Sequence, residues 1–65
     1  MLSGGELIYR CRKFRGLSQR QLAKKAGISY QMICFYERGR FEPKFEAVQW
    51  CLEAMGFELE LKEKK

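Results

Sequence analysis

The sequence predicts a mainly α domain of four helices, followed by one C-terminal β-strand that pairs across a dimer. Three observations predict it. First, Ser3, Ser18 and Ser29 each precede a stretch of helical period, and Gly16, Gly27, Gly39 and Gly56 each follow one. A serine that caps the first turn and a glycine that closes the last are the usual boundaries of short helices. Second, Phe57-Glu58-Leu59-Glu60-Leu61-Lys62 alternates strictly between apolar and charged residues, the period of a half-buried strand. Third, no other stretch reads as a strand, so this one has no pairing partner in its own chain. A second copy, antiparallel across a two-fold axis, is the simplest partner.

The first helix is expected from about Gly4 to Phe14. Ser3 and Glu6 stand at capping-box spacing. Ile8, Cys11 and Arg15 fall on one side, with Leu7 and Phe14 flanking. Arg12 lies near that side as well, and an arginine beside a core stripe needs an acidic partner. Leu17 then drops into the core. The second helix spans about Gln19 to Ala26, with Ser18 and Gln21 forming a second capping box. Leu22, Ala23 and Ala26 form its apolar stripe, and Gln19, Arg20, Lys24 and Lys25 its polar face. Gln19 sits in the first turn, where free backbone N–H groups and the helix dipole favour a phosphate.

The third helix runs from about Ser29 to Glu37 and divides by face. Ile28, Ile33 and Tyr36 are expected inward; Tyr30, Gln31, Cys34 and Phe35 outward or sideways. Met32 either packs or touches an edge. Outward Tyr, Phe and Cys are unusual for plain surface but suit a major groove, where apolar side chains pack on thymine methyls and Gln31 can pair bidentately with adenine. Arg38, Gly39 and Arg40 form the following loop, with Lys44 nearby; the three basic residues are candidate phosphate contacts. Pro43 suits the first turn of a fourth helix, about Lys44 to Met55, with Phe45, Val48, Leu52 and Met55 as its stripe and Cys51 beside it. Trp50 lies off that stripe, either as loose surface or as part of a subunit interface; we take the interface.

The segment from Leu17 to Pro43 resembles the helix-turn-helix of the Cro/C1-type repressors, the XRE family. Leu17, Ser18, Gln19, Leu22, Ala23, Gly27, Ile28, Ser29, Ile33, Tyr36, Glu37, Gly39 and Pro43 carry the resemblance, which extends over about Ile8 to Met55. It implies a compact four-helix, lambda-repressor-like helix-turn-helix domain that binds double-stranded DNA. It also implies base contacts from Tyr30, Gln31 and Phe35, with Cys34 in the same outward row, and a backbone contact from Gln19. An Arg12–Glu37 ion pair would tie the first helix to the end of the third. Cys34 and Phe35 depart from the polar residues common there, which leaves the target site unread and room for a protein-binding face. The terminal strand looks more like that of the antitoxin branch, whose members dimerise through such strands. The expected organisation is residues 1–56 as the DNA-binding domain, 57–63 as the dimerisation strand and 64–65 as a tail. Phe57, Leu59 and Leu61 would face the helices and, with Trp50, form the homodimer interface.

Composition narrows the function. The net charge of +5 is uneven: residues 1–44 carry ten Lys and Arg against three Glu, whereas residues 45–65 carry three Lys against five Glu. A basic helix-turn-helix half suggests a polyanion partner. Three cysteines and no histidine, without paired spacing, point to core hydrophobes in a reducing cytosol and to no metal site. With no histidine, no nucleophile beside a base and no phosphate-cradling glycine loop, the sequence argues against an enzyme and calls for no cofactor. No apolar run approaches a membrane span or a signal-peptide core, so a cytoplasmic protein is expected, and the lack of a linker suggests a whole regulator rather than an excised domain. The expected function is a dimeric repressor reading an inverted-repeat operator. The alternatives are an antitoxin that also binds a toxin protein, and a protein-interaction module without DNA binding.

Overall fold

A computed structural model of the chain describes residues 3–58. It contains four helices in the order α1 (Gly4–Arg15), α2 (Gln19–Ala26), α3 (Tyr30–Arg38) and α4 (Phe45–Ala54). Their boundaries lie within a residue of those read from the caps. Ser3, Ser18 and Ser29 each accept a backbone N–H three residues on, and the Gln21 side chain returns the bond to Ser18. Lys44 begins α4 without a side-chain cap, and Pro43 is buried just before it. Arg12–Leu17, Phe35–Arg40 and Leu52–Phe57 are each joined by a carbonyl-to-N–H bond spanning the helix end, at 3.1, 3.0 and 2.8 Å. This is the Schellman closure, and it requires the intervening residue to turn left-handed. Gly16, Gly39 and Gly56 do so, with φ of 71°, 79° and 87°.

The core is built from all four helices: Ile8, Leu22, Ala23, Ala26, Ile33, Val48, Cys51, Leu52 and Met55 are buried, with Leu7, Cys11, Leu17, Ile28, Tyr36, Ala54 and Phe57 packed around them. Helix α3 packs against α1 and α2, and α4 packs against the same pair, while α3 and α4 pack little on one another. Gly5 makes the α1–α3 approach possible, because a Cβ there would stand 1.8 Å from the Tyr36 carbonyl oxygen. The Glu42 carboxylate reaches back from the loop before α4 to accept the Gly4 N–H at 2.8 Å, which satisfies a free donor at the positive end of α1.

Two details differ from the periodicity reading. The inner side of α1 runs through Ile8 and Arg12, and Arg15 and Phe14 are exposed, Phe14 by 76%. Arg15 instead lies along the chain after α4, donating to the Met55 carbonyl at 2.9 Å and stacking on Phe57 at 4.2 Å. Phe45, placed in the apolar stripe of α4, is 41% exposed. No strand occurs among the described residues. Phe57 and Glu58 are irregular, Phe57 being half-buried against Phe14 at 6.1 Å between ring centres. The rest of the expected strand, with Leu59 and Leu61, lies outside the described residues.

Candidate nucleic-acid interface

A polar clasp sets the orientation of α3. The Arg12 guanidinium on α1 donates from Nε to Glu37 Oε2 at 2.7 Å and from Nη2 to Oε1 at 2.9 Å. Its Nη1 donates to the Leu17 carbonyl at 2.8 Å, so the same group also holds the α1–α2 turn. Gln19, at the start of α2, donates from Nε2 to Glu37 Oε1 at 3.0 Å and accepts from the Cys34 thiol at 3.4 Å. Arg12 is 8% exposed, and such a buried charge is tolerable only when paired and hydrogen-bonded. The hydrogen bond to Glu37 outweighs burial and raises the guanidinium pKa, so Arg12 stays charged. Among the described residues no buried side-chain N or O atom lacks a partner. Bidentate geometry fixes direction as well as distance, so α3 is held against rotation about its own axis.

That orientation decides which side chains face solvent. Tyr30 and Gln31, in the first turn of α3, are exposed, and the Arg20 guanidinium of α2 stacks over the Tyr30 ring at 4.3 Å. Cys34 and Phe35, expected in the outward row, are half-buried. Cys34 turns toward α2 because Gln19 offers it an acceptor. Phe35 turns toward the following loop, where Phe41 meets it edge-on at 5.4 Å and Arg40 covers it at 5.4 Å. Arg38, Arg40 and Lys44 are exposed around that loop. Gln19 is half-buried, with its side-chain oxygen and one N–H of its amide engaged in the clasp.

The stacked Arg20 was not among the residues singled out from the sequence. Ten positions separate it from Tyr30, and only the crossing of α2 and α3 brings their first turns together.

Behind α3 the surface is different. Between α3 and α4 lies an open groove of about 700 Å³, lined by Ile28, Met32, Tyr36, Phe41, Ala47 and Trp50 and edged by Glu42, Lys44 and Glu46. Trp50 is 61% exposed and Phe41 53%. Phe57, expected with Trp50 at a subunit interface, lies near the end of α1 on Arg15, half-buried.

No cluster of three or more His, Cys, Asp or Glu among the described residues could hold a metal ion. No described helix is long and apolar enough to cross a membrane. No curated protein and no solved structure matches the chain. The helix-turn-helix family model matches residues 8–62, which takes in all of α2, α3 and α4 and the part of α1 that carries the clasp arginine. The family is one of DNA-binding regulators and not of enzymes. The chain therefore belongs to the Cro/C1-type, or XRE, family of helix-turn-helix transcription regulators.

Proposed function

We propose that the chain is a repressor that binds an inverted-repeat operator as a homodimer. The observation that carries this reading is the clasp, which holds α3 so that Tyr30 and Gln31 project beside a surface of Arg20, Arg38, Arg40 and Lys44. With α3 in the major groove, Gln31 would read a base edge, with Tyr30 beside it. Phe35 and Cys34, set further back, would contribute apolar contact at the rim. The loop cations would neutralise phosphates and add affinity without sequence information. Gln19 would meet the backbone through its remaining amide N–H and the first-turn N–H groups of α2. A dimer would space two such helices about one turn of DNA apart, and covering a promoter would repress it. The terminal strand, through Phe57, Leu59 and Leu61, and Trp50 would hold the two copies together.

The apolar groove behind α3 favours a second reading, an antitoxin that engages a toxin protein as well as DNA; a toxin-like reading frame beside its gene would support it.

The test is selection of bound duplexes from a random DNA pool at two salt concentrations. Enrichment of an inverted repeat, with affinity falling steeply as salt rises, is the expected result, because phosphate contacts release counterions. A folded protein that enriches no sequence would overturn the DNA-reading function.

A further inference from the structure

We infer that the groove between α3 and α4 is the seat for the C-terminal segment of a second copy, residues 59–65, with Leu59 and Leu61 entering it. The inference rests on the dimer proposed above and states what its tails contact. The groove floor is apolar, formed by Met32 and Tyr36 of α3 and Ala47 of α4, and Trp50 and Phe41 stand open at its sides. Its volume of about 700 Å³ is that of sites which enclose small organic ligands, roughly 300–1,000 Å³. Leu59 and Leu61 lie two positions apart, so in an extended segment they share one face about 7 Å apart. They can therefore enter one groove side by side.

Charge matches as well. Glu42 and Glu46 edge the groove, and Glu53 follows beyond Trp50 on the outer side of α4, against one cation, Lys44. Residues 59–65 carry Lys62, Lys64 and Lys65 against Glu60 and Glu63. An acidic rim around an apolar floor suits a segment whose two leucines are followed by three lysines, Lys62, Lys64 and Lys65.

The occupant is a second copy because a chain's own tail falls short. Phe57 is pinned beside α1 by Arg15. Leu59 is two residues further, a reach of about 7 Å. From Ala47 to Ala54, α4 alone rises about 10 Å, and Met55 to Phe57 lie beyond it. Leu59 cannot return to the floor at Ala47, so both leucines can be seated together only from a partner.

Trp50 is the one tryptophan of the chain, which makes its emission a direct report on the groove. The experiment records Trp50 emission and sedimentation of the full chain across a dilution series, for the wild type and for the Leu59→Glu, Leu61→Glu double variant. Helical circular dichroism checks folding throughout. The expected result is blue-shifted emission at high concentration that moves red on dilution, with the midpoint of dimer dissociation. The double variant should be folded, red at every concentration, and shifted at least tenfold toward monomer. Blue emission independent of concentration would place the tail on its own chain and overturn the inference. A dimer whose emission ignores both leucines would leave the groove to another protein and overturn it while sparing the dimer. Absence of any dimer would overturn it together with the dimer, though not the reading of DNA by α3.

Discussion

Helix α3 has two sides of opposite character. Toward α1 and α2 it is held by a closed set of directional bonds, in which Arg12, Glu37, Gln19, Cys34 and the Leu17 carbonyl satisfy one another. Toward α4 it leaves an open apolar groove with no such bonds across it. The first arrangement sets an angle: bidentate pairing fails when either partner rotates. The second sets none, since apolar contact is non-directional and adaptable. A helix that must present Tyr30 and Gln31 at a constant height needs the first kind of support. A surface that must accept another chain is better served by the second.

The largest effect that would break this contrast is Glu37→Ala. It strands the Arg12 guanidinium in a buried site with only the Leu17 carbonyl, and urea unfolding should show a loss of about 3–5 kcal/mol. Replacing both partners, Arg12→Met with Glu37→Leu, should recover much of that loss. A single-variant loss below about 1 kcal/mol would mean the pair behaves as a surface salt bridge.

Gly5→Ala comes next. The new methyl must push α1 from the Tyr36 carbonyl, and overpacking of this kind costs about 1–3 kcal/mol, more than the roughly 1 kcal/mol alanine offers over glycine inside a helix. Net stabilisation in thermal unfolding would show that α1 can move off the Tyr36 carbonyl at little cost.

Gln31→Ala sharpens the comparison from the solvent side. It should leave unfolding unchanged yet weaken binding to the selected operator by about 1–3 kcal/mol and relax one base position. Equal weakening on all duplexes would remove its reading role.

Alkaline pH probes the core between the two regions. Burial, and secondarily the charge of Glu37, pushes the Cys51 thiol up to about 11. Burial also raises Cys11, against the opposing charge of Arg15. The unfolded thiols ionise first, so the unfolded state binds fewer protons and stability falls as pH rises. Unfolding free energy should be level below about pH 8.5, the unfolded thiol range, and decline toward about 11. Cys51→Ala should flatten that decline.

The smallest effect is Trp50→Ala in the Leu59→Glu, Leu61→Glu background. With 61% of Trp50 exposed, folding stability should move by less than about 0.5 kcal/mol. A larger loss would show that the groove is part of the fold and not a vacant surface.

The four helices were legible because their signals are local. A serine hydroxyl reaches an N–H three residues away, a glycine turns left-handed on its own, and apolar residues three and four apart share a face whatever the rest of the chain does. Residue type also announced the need for a partner at Arg12, since a charge beside a core stripe cannot stand alone. Which groups meet across the fold is another matter. Cys34 and Phe35 share the outward arc of α3 by periodicity, but Gln19 draws one toward α2 and Phe41 draws the other toward the loop. Arg20 found Tyr30 by the same route. The groove exists because α3 and α4 both pack on α1 and α2 and little on each other. Helix positions and caps thus followed from the sequence by itself, whereas side-chain direction at the candidate DNA surface and the open groove behind it were decided by tertiary packing. Those outcomes depend on donors, acceptors and apolar surfaces from distant segments, whose relative placement no local pattern encodes.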